Sequence, residues 1–186
     1  MGVFFCFPWL TLSLCWSMPL AAQGKENRPT KAGTATAITA QNVELVGHIG
    51  GATDCVFVVD KRVYIGEGPR LTILDVTNPA KPIVLGKTIP FAGLLKDVVV
   101  VGNLAYVIEE NGLHIVDVTN AAAPTLVGFY DTPGSAAAVS VVGNYAYVAD
   151  GESGLRVVNV SDPANPTEVG FYDTPGIAIG IYVAGN

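Results

Sequence analysis

Apolar residues in this chain fall in short runs separated by clusters of Gly, Pro, Asn and Asp. The pattern is clearest from Ala136 to Tyr172. Ala136–Val142 is rich in Val and Ala, Gly143-Asn144 interrupts it, and Tyr145–Ala149 alternates large and small side chains. "DGESG" (Asp150–Gly154) precedes a third run, Leu155–Val160, and "SDPANP" (Ser161–Pro166) precedes a fourth, Thr167–Tyr172. Runs of this length bounded by turn residues predict strands, because Val, Ile, Tyr and Phe suit a pleated, half-buried surface. Gly143 stands first in a two-residue loop, where a type II′ hairpin turn needs a positive φ. No segment keeps helical spacing of apolar residues long enough to predict a helix.

The four-strand pattern recurs. "LVGHIGG" (from Leu45), "VLGKTIP" (from Val84), "LVGFYDTPG" (from Leu126) and "EVGFYDTPG" (from Glu168) share a glycine at Gly47, Gly86, Gly128 and Gly170, with spacings of 39, 42 and 42. "LTILDVTNP" (Leu71), "LHIVDVTNA" (Leu113) and "LRVVNVSDP" (Leu155) form a second register, and "VGNLAYV" (Val101) and "VGNYAYV" (Val142) a third. Four strands in about 40–45 residues, repeated, predict an all-β fold: a β-propeller of four-stranded blades. In the duplicated "GFYDTPG", Thr132-Pro133-Gly134-Ser135 has Pro and Gly where a type II turn wants them. That turn is expected to carry the chain from a blade's outer strand to the next blade's inner strand.

Blades are predicted at about residues 52–87, 94–130 and 136–173, with a partial blade at 177–186 and a spare outer strand at Val43–Ile49. Propellers generally hold about 4–8 blades. The array is therefore expected to be incomplete, about three full blades plus one starting strand, in a fragment of a longer propeller. An oligomer in its place would leave a raw strand edge. The third blade's outward face, with alternate apolar positions of Tyr145–Ala149 and Leu155–Val160, is expected to lie uncovered.

"GLHIVDVTN" (from Gly112) and "GLRVVNVSDPANPTEVGFYDTPG" (from Gly154) resemble the LVIVD repeat of secreted and surface-associated bacterial and archaeal proteins. The resemblance runs from about Val43 to Asn186. It implies a propeller-like fold and an extracytoplasmic location, and it brings no general catalytic residues. The first unit departs most, with Lys61-Arg62 in place of the Gly-Asn turn.

Composition changes the picture at the N-terminus. Residues 1–24 carry no charged side chain, and an apolar run, Val3–Trp16, is followed by small residues at Ala21, Ala22 and Gly24. This reads as a signal peptide cut between Ala22 and Gly24. An uncleaved anchor is the alternative, since Val3–Ala22 approaches the ~20 residues that span a bilayer. Residues 25–42, poor in bulky hydrophobes, read as a flexible spacer. After cleavage no membrane span remains, and Cys55 is the one cysteine left, so no internal disulfide can form. From Gln41 onward 15 acidic residues face 7 basic ones. Nucleic-acid binding, which needs clustered Lys and Arg, is excluded as a function class.

Little catalytic chemistry stands out. His48 and His114 are isolated, and no zinc-type spacing occurs. Asp75, Asp117 and Asn159 share a repeat position before a turn and read as caps for its N–H groups. One loop face is expected to gather Glu67, Glu109, Glu110, Asp131, Asp150, Glu152 and Asp173. It reads as a solvated polar face, a surface for a cationic partner, or a divalent-cation site, with Asp150 and Glu152 as candidate Ca²⁺ ligands. Ca²⁺ wants about 6–8 oxygens and no EF-hand spacing is present. Cys55, Asp97, Ala138 and Gly180 occupy the inner-strand starts, where a propeller enzyme would need converging His or carboxylates. The reading is thus an exported, non-enzymatic interaction module without a required cofactor. It would be secreted, periplasmic or at the cell surface, with an unknown protein or other extracellular ligand as partner. A hydrolase or lactonase-type propeller enzyme is the alternative.

Overall fold

A computed structural model describes residues 53–184 and Val46. The expected signal peptide, spacer and spare strand at Val43–Ile49 lie outside the described residues, Val46 excepted. Among the described residues twelve strands form three antiparallel sheets of four. The first holds β1 (Val56–Val59), β2 (Arg62–Glu67), β3 (Arg70–Asp75) and β4 (Ile83–Lys87). The second holds β5 (Asp97–Val101), β6 (Leu104–Glu109), β7 (Gly112–Asp117) and β8 (Thr125–Asp131). The third holds β9 (Ala138–Val142), β10 (Tyr145–Ala149), β11 (Leu155–Asn159) and β12 (Thr167–Tyr172). Strand order follows chain order in every sheet. The inner strands β1 and β5, and β5 and β9, pack against each other. These are propeller blades.

The tight β5–β6 and β9–β10 turns place Gly102 and Gly143 at φ 59° and 58°, as the Gly-Asn pairs predict. Asp60 takes the same place in β1–β2 at φ 53°, a region that favours glycine. Each β3-type strand is capped as the sequence suggests. Asp75, Asp117 and Asn159 accept the N–H of the second residue on at 2.7, 2.8 and 2.9 Å. Asn78, Asn120 and Asp162 repeat this one turn later, each at 3.1 Å.

Alternate positions of each central strand face opposite neighbours, so one strand serves two cores. Leu71 and Ile73 of the first blade pack with Val98, Val107 and Val116 of the second. Leu113 and Ile115 of the second pack with Val139, Val148 and Val158 of the third. Each such side chain, fully buried, contributes about 1.5–3 kcal/mol. The interfaces are also keyed. A bulge between Ile73 and Leu74, and between Ile115 and Val116, offsets the outer strand beside Gly86 and Gly128. A Cβ at Gly86 would strike the Ala121–Ala122 backbone of the second blade, and one at Gly128 would strike the Pro163–Ala164 backbone of the third. The repeated glycine is therefore a socket for the next blade's β3–β4-type loop.

Two expectations need correction. Gly134 does not adopt the positive φ of a type II turn. Its N–H instead donates to Asp150 Oδ2 at 2.8 Å, and a Cβ there would come within 2.8 Å of that oxygen and of Ser153 Oγ. Contact with the β10–β11 loop, which local turn chemistry does not reveal, sets this corner. The segment Ile177–Ala184 forms no strand. It makes one isolated bridge, Gly151 to Ala178, and the Val183 N–H reaches Ser140 Oγ at 3.3 Å. An inner strand is held by its hairpin partner, as β9 is by β10, and none pairs with this segment among the described residues.

Candidate functional site

In antiparallel sheets the β2–β3, β6–β7 and β10–β11 hairpins emerge at the same edge as the β4–β5 and β8–β9 connections. All seven acidic candidates sit at that edge, but they divide into two groups. Glu110, Asp131, Glu152 and Asp173 are exposed. Glu109 and Asp150 are buried, and Glu67 is tied down by its neighbours.

The tied group answers to a repeat position that isolated motif reading passes over. Thr72, His114 and Arg156 are equivalent, facing Lys87, Phe129 and Phe171 across the outer strand pair. Each meets an acid from its own β2–β3-type hairpin. Thr72 Oγ1 donates to Glu67 Oε2 at 2.9 Å, and Lys87 Nζ lies 2.6 Å from the same oxygen. These donors, Lys87 first, hold the Glu67 carboxyl below its ordinary value. His114 Nε2 lies 3.2 Å from Glu109 Oε1, and its ring sits between Phe91 (4.8 Å) and Phe129 (4.5 Å). Burial lowers the His114 pKa, and the Glu109 hydrogen bond opposes that shift. Arg156 Nε lies 3.8 Å from Asp150 Oδ2, and its guanidinium covers the Phe171 ring at 4.8 Å. The spacing of acid to partner, five residues at Glu67–Thr72 and Glu109–His114 and six at Asp150–Arg156, is the signal that could have found them.

The remaining candidates are also accounted for. Asp97 accepts from the Val98 N–H (2.8 Å) and, across the blade boundary, from the Val139 N–H (2.9 Å). Cys55 is buried, and desolvation pushes its thiol up to about 11, which keeps it protonated and unreactive. Tyr130 donates to Glu168 Oε2 at 2.6 Å, and burial, reinforced by that bond, pushes its hydroxyl up to about 12. Asp150 and Glu152 point to different surroundings. Asp150 is fully buried against Arg156, whereas Glu152 is exposed beside an open cleft of about 240 Å³ formed with Thr174–Ile177. Among the described residues no three His, Cys, Asp or Glu side chains cluster to hold a metal ion. At the opposite edge Lys61, Arg62, Tyr64 and Asn103 help line a cleft of about 600 Å³.

Comparison with known proteins agrees with this geometry. The LVIVD-repeat model matches three consecutive stretches, residues 50–88, 92–132 and 133–174. The chain belongs to the LVIVD-repeat family. Each matched stretch contains one four-stranded blade, so the LVIVD unit here is the inner-to-outer blade itself. No curated protein matches the chain. Among solved structures it is similar to the computationally designed Ika4 protein, with a TM-score of 0.62 and 11% identity over 78% of this chain and 89% of that one. It is also similar to the computationally designed Ika8 protein, with a TM-score of 0.60 and 9% identity over 73% of this chain and 41% of that one. At such identities the likeness concerns the fold alone.

Proposed function

We propose that this LVIVD protein is an exported, non-enzymatic binding module whose acidic loop face receives a cationic partner. One observation carries the reading: the basic side chains of that face are already engaged, while several acids are not. Lys87 is held by Glu67, Arg70 donates to the Thr88 carbonyl, Lys96 reaches Ser135, and Arg156 lies among Asp150, Glu168 and Asp173. Glu110, Asp131 and Glu152 stay exposed to solvent. Such a field attracts cations and raises encounter rates. The groups a catalyst would require point the other way. His114, Glu109, Asp150 and Asp97 serve contacts at blade boundaries and corners, and neither of the two clefts described above is lined by any of them.

The test uses an oligolysine peptide as probe, with binding read by fluorescence anisotropy. Reversing Glu110, Asp131 and Glu152 to Lys should weaken binding by roughly tenfold or more, about 1.4 kcal/mol. Reversing Asp60, Asp117 and Asp162 at the opposite edge should change it far less. Equal losses from the two sets would reject the loop face as the contact surface. Export is tested separately by mass spectrometry of the secreted product. A start at about Gln23–Lys25 supports a cleaved leader, and retention of Phe4–Trp16 in membranes supports the anchor.

A further inference from the structure

We infer that the cleft between the first hairpins of the first and second blades is a binding site for a small organic anion, gripped at a carboxylate or phosphate group by Lys61 and Arg62. The site lies at the edge opposite the acidic loop face. It uses neither that face nor its proposed partner.

The cleft holds about 600 Å³, within the range of about 300–1,000 Å³ of small-molecule pockets. That volume leaves room for an organic body beyond the anionic group. Two repeats supply the walls. Asp60, Lys61, Arg62 and Tyr64 come from β2 and the β1–β2 turn, and Gly102 and Asn103 from the β5–β6 turn. Tyr64 is buried in the core that the first two blades share, so it forms the floor. Arg62 stands two residues before Tyr64 on β2, hence on the same face of the strand, toward the second blade.

The first blade departs from the repeat at this corner. Asp60, Lys61 and Arg62 stand where Gly102, Asn103 and Leu104 stand in the second blade, and Gly143, Asn144 and Tyr145 in the third. Leu104 is half-buried and packs into the core between the second and third blades. Arg62 is exposed. An apolar side chain is thus replaced by a guanidinium, with an ammonium beside it.

Neither cation is spoken for. At the loop edge Arg70, Lys87, Lys96 and Arg156 each meet an acceptor. Among the described residues Lys61 and Arg62 form no ion pair and no side-chain hydrogen bond. Asp75 pairs in register with Arg62, but its carboxyl accepts the Thr77 N–H at 2.7 Å. Asp60 also lines the cleft, so two cations outweigh one acid there. A guanidinium offers paired N–H donors that match a carboxylate or phosphate, and an ammonium adds a compact charge. The Asn103 amide and the Tyr64 hydroxyl add neutral hydrogen-bonding groups for the rest of a ligand.

The test is an NMR titration of the isotope-labelled, purified chain at fixed ionic strength, with inorganic phosphate in one arm and acetate in the other. Saturable shifts are expected at the Asp60–Arg62 and Gly102–Asn103 amides with at least one of them. The tighter anion identifies the ligand's group as phosphoryl or carboxyl. Arg62→Gln should weaken binding roughly tenfold, the worth of hydrogen bonds to a charged group. Lys61→Gln should weaken it severalfold, and Asp60→Asn, which removes the opposing charge, should tighten it. Lys81→Gln, an exposed lysine outside the cleft, should change nothing. All these side chains are exposed, so the spectra away from the cleft should stay as in the wild type. Three results would overturn the inference: no saturable shift with either anion, equal losses in Arg62→Gln and Lys81→Gln, or an Asp60→Asn that binds no more tightly than the wild type.

Discussion

Gly128→Ala isolates the socket that locks successive LVIVD blades together. Gly128 does not have a positive φ, so alanine adds no backbone strain there. What it adds is a methyl group facing backbone. The new Cβ would strike the Pro163 carbonyl oxygen and come within 3.1 Å of the Pro163 carbonyl carbon and 3.3 Å of that of Ala164. No side chain can swing away, so the third blade's loop must shift. Overpacking of this kind costs about 1–3 kcal/mol. The lower entropy of the unfolded chain returns about 0.4–1 kcal/mol. A net loss of about 1–2 kcal/mol lowers the Tm by roughly 3–10 °C for a domain of this size. Gly170→Ala is the control. It makes the same chemical change at the same repeat position with nothing within 4 Å, so only the entropic gain applies, about 0.4–1 kcal/mol of added stability. Both variants should be melted by urea and by heat in dilute solution, followed by far-UV circular dichroism. If Gly128→Ala proves as stable as Gly170→Ala, the interlocking of glycine and loop is not what holds the blades in register.

Three other outcomes are expected. Asp60→Gly should stabilise the fold by about 1 kcal/mol, because it relieves a non-glycine residue at φ 53° in an exposed hairpin turn; urea midpoints check this. Asp97→Ala should cost about 1–3 kcal/mol by orphaning the Val98 and Val139 N–H groups, with Asp97→Asn intermediate since its amide keeps one acceptor. The folded His114 pKa lies below its ordinary 6.5, so the unfolded chain binds the proton more readily. Stability from this group is fully present above that value and falls as pH drops from about 6.5 toward the folded pKa. Melts between pH 7.5 and 5 should show that decline in the wild type and a shallower one in His114→Gln. The carboxylates Asp75, Asp117, Asp162 and Glu67, whose pKa values are lowered by hydrogen bonds, act in a separate window, as pH falls below about 4.5.

Local chemistry made the blades legible. The Gly-Asn turns, the Asp-Val-Thr-Asn caps and the 42-residue period each act through neighbouring residues, so one sequence displays them. What stayed hidden depends on contacts across blade boundaries. Gly134 looks like a type II turn residue because Pro precedes it, but Asp150, sixteen residues on, decides its conformation. His114 reads as isolated in the sequence. Only the folded sheet brings it against Glu109, as it brings Arg156 against Asp150. The acidic loop face was legible as a set, because hairpin topology alone sends those residues to one edge. Which members are exposed was not, since Glu109 and Glu110 are adjacent in sequence and opposite in burial.

The most direct test of the binding reading is a hydrogen-exchange footprint of the oligolysine probe on the purified chain. The account predicts slowed exchange confined to the loop edge, at the β6–β7 hairpin around Glu110, the corner after Asp131, and the Gly151–Gly154 turn. Protection centred instead on Asp60–Arg62 and the Asn103 turn, or no protection at either edge, would contradict it.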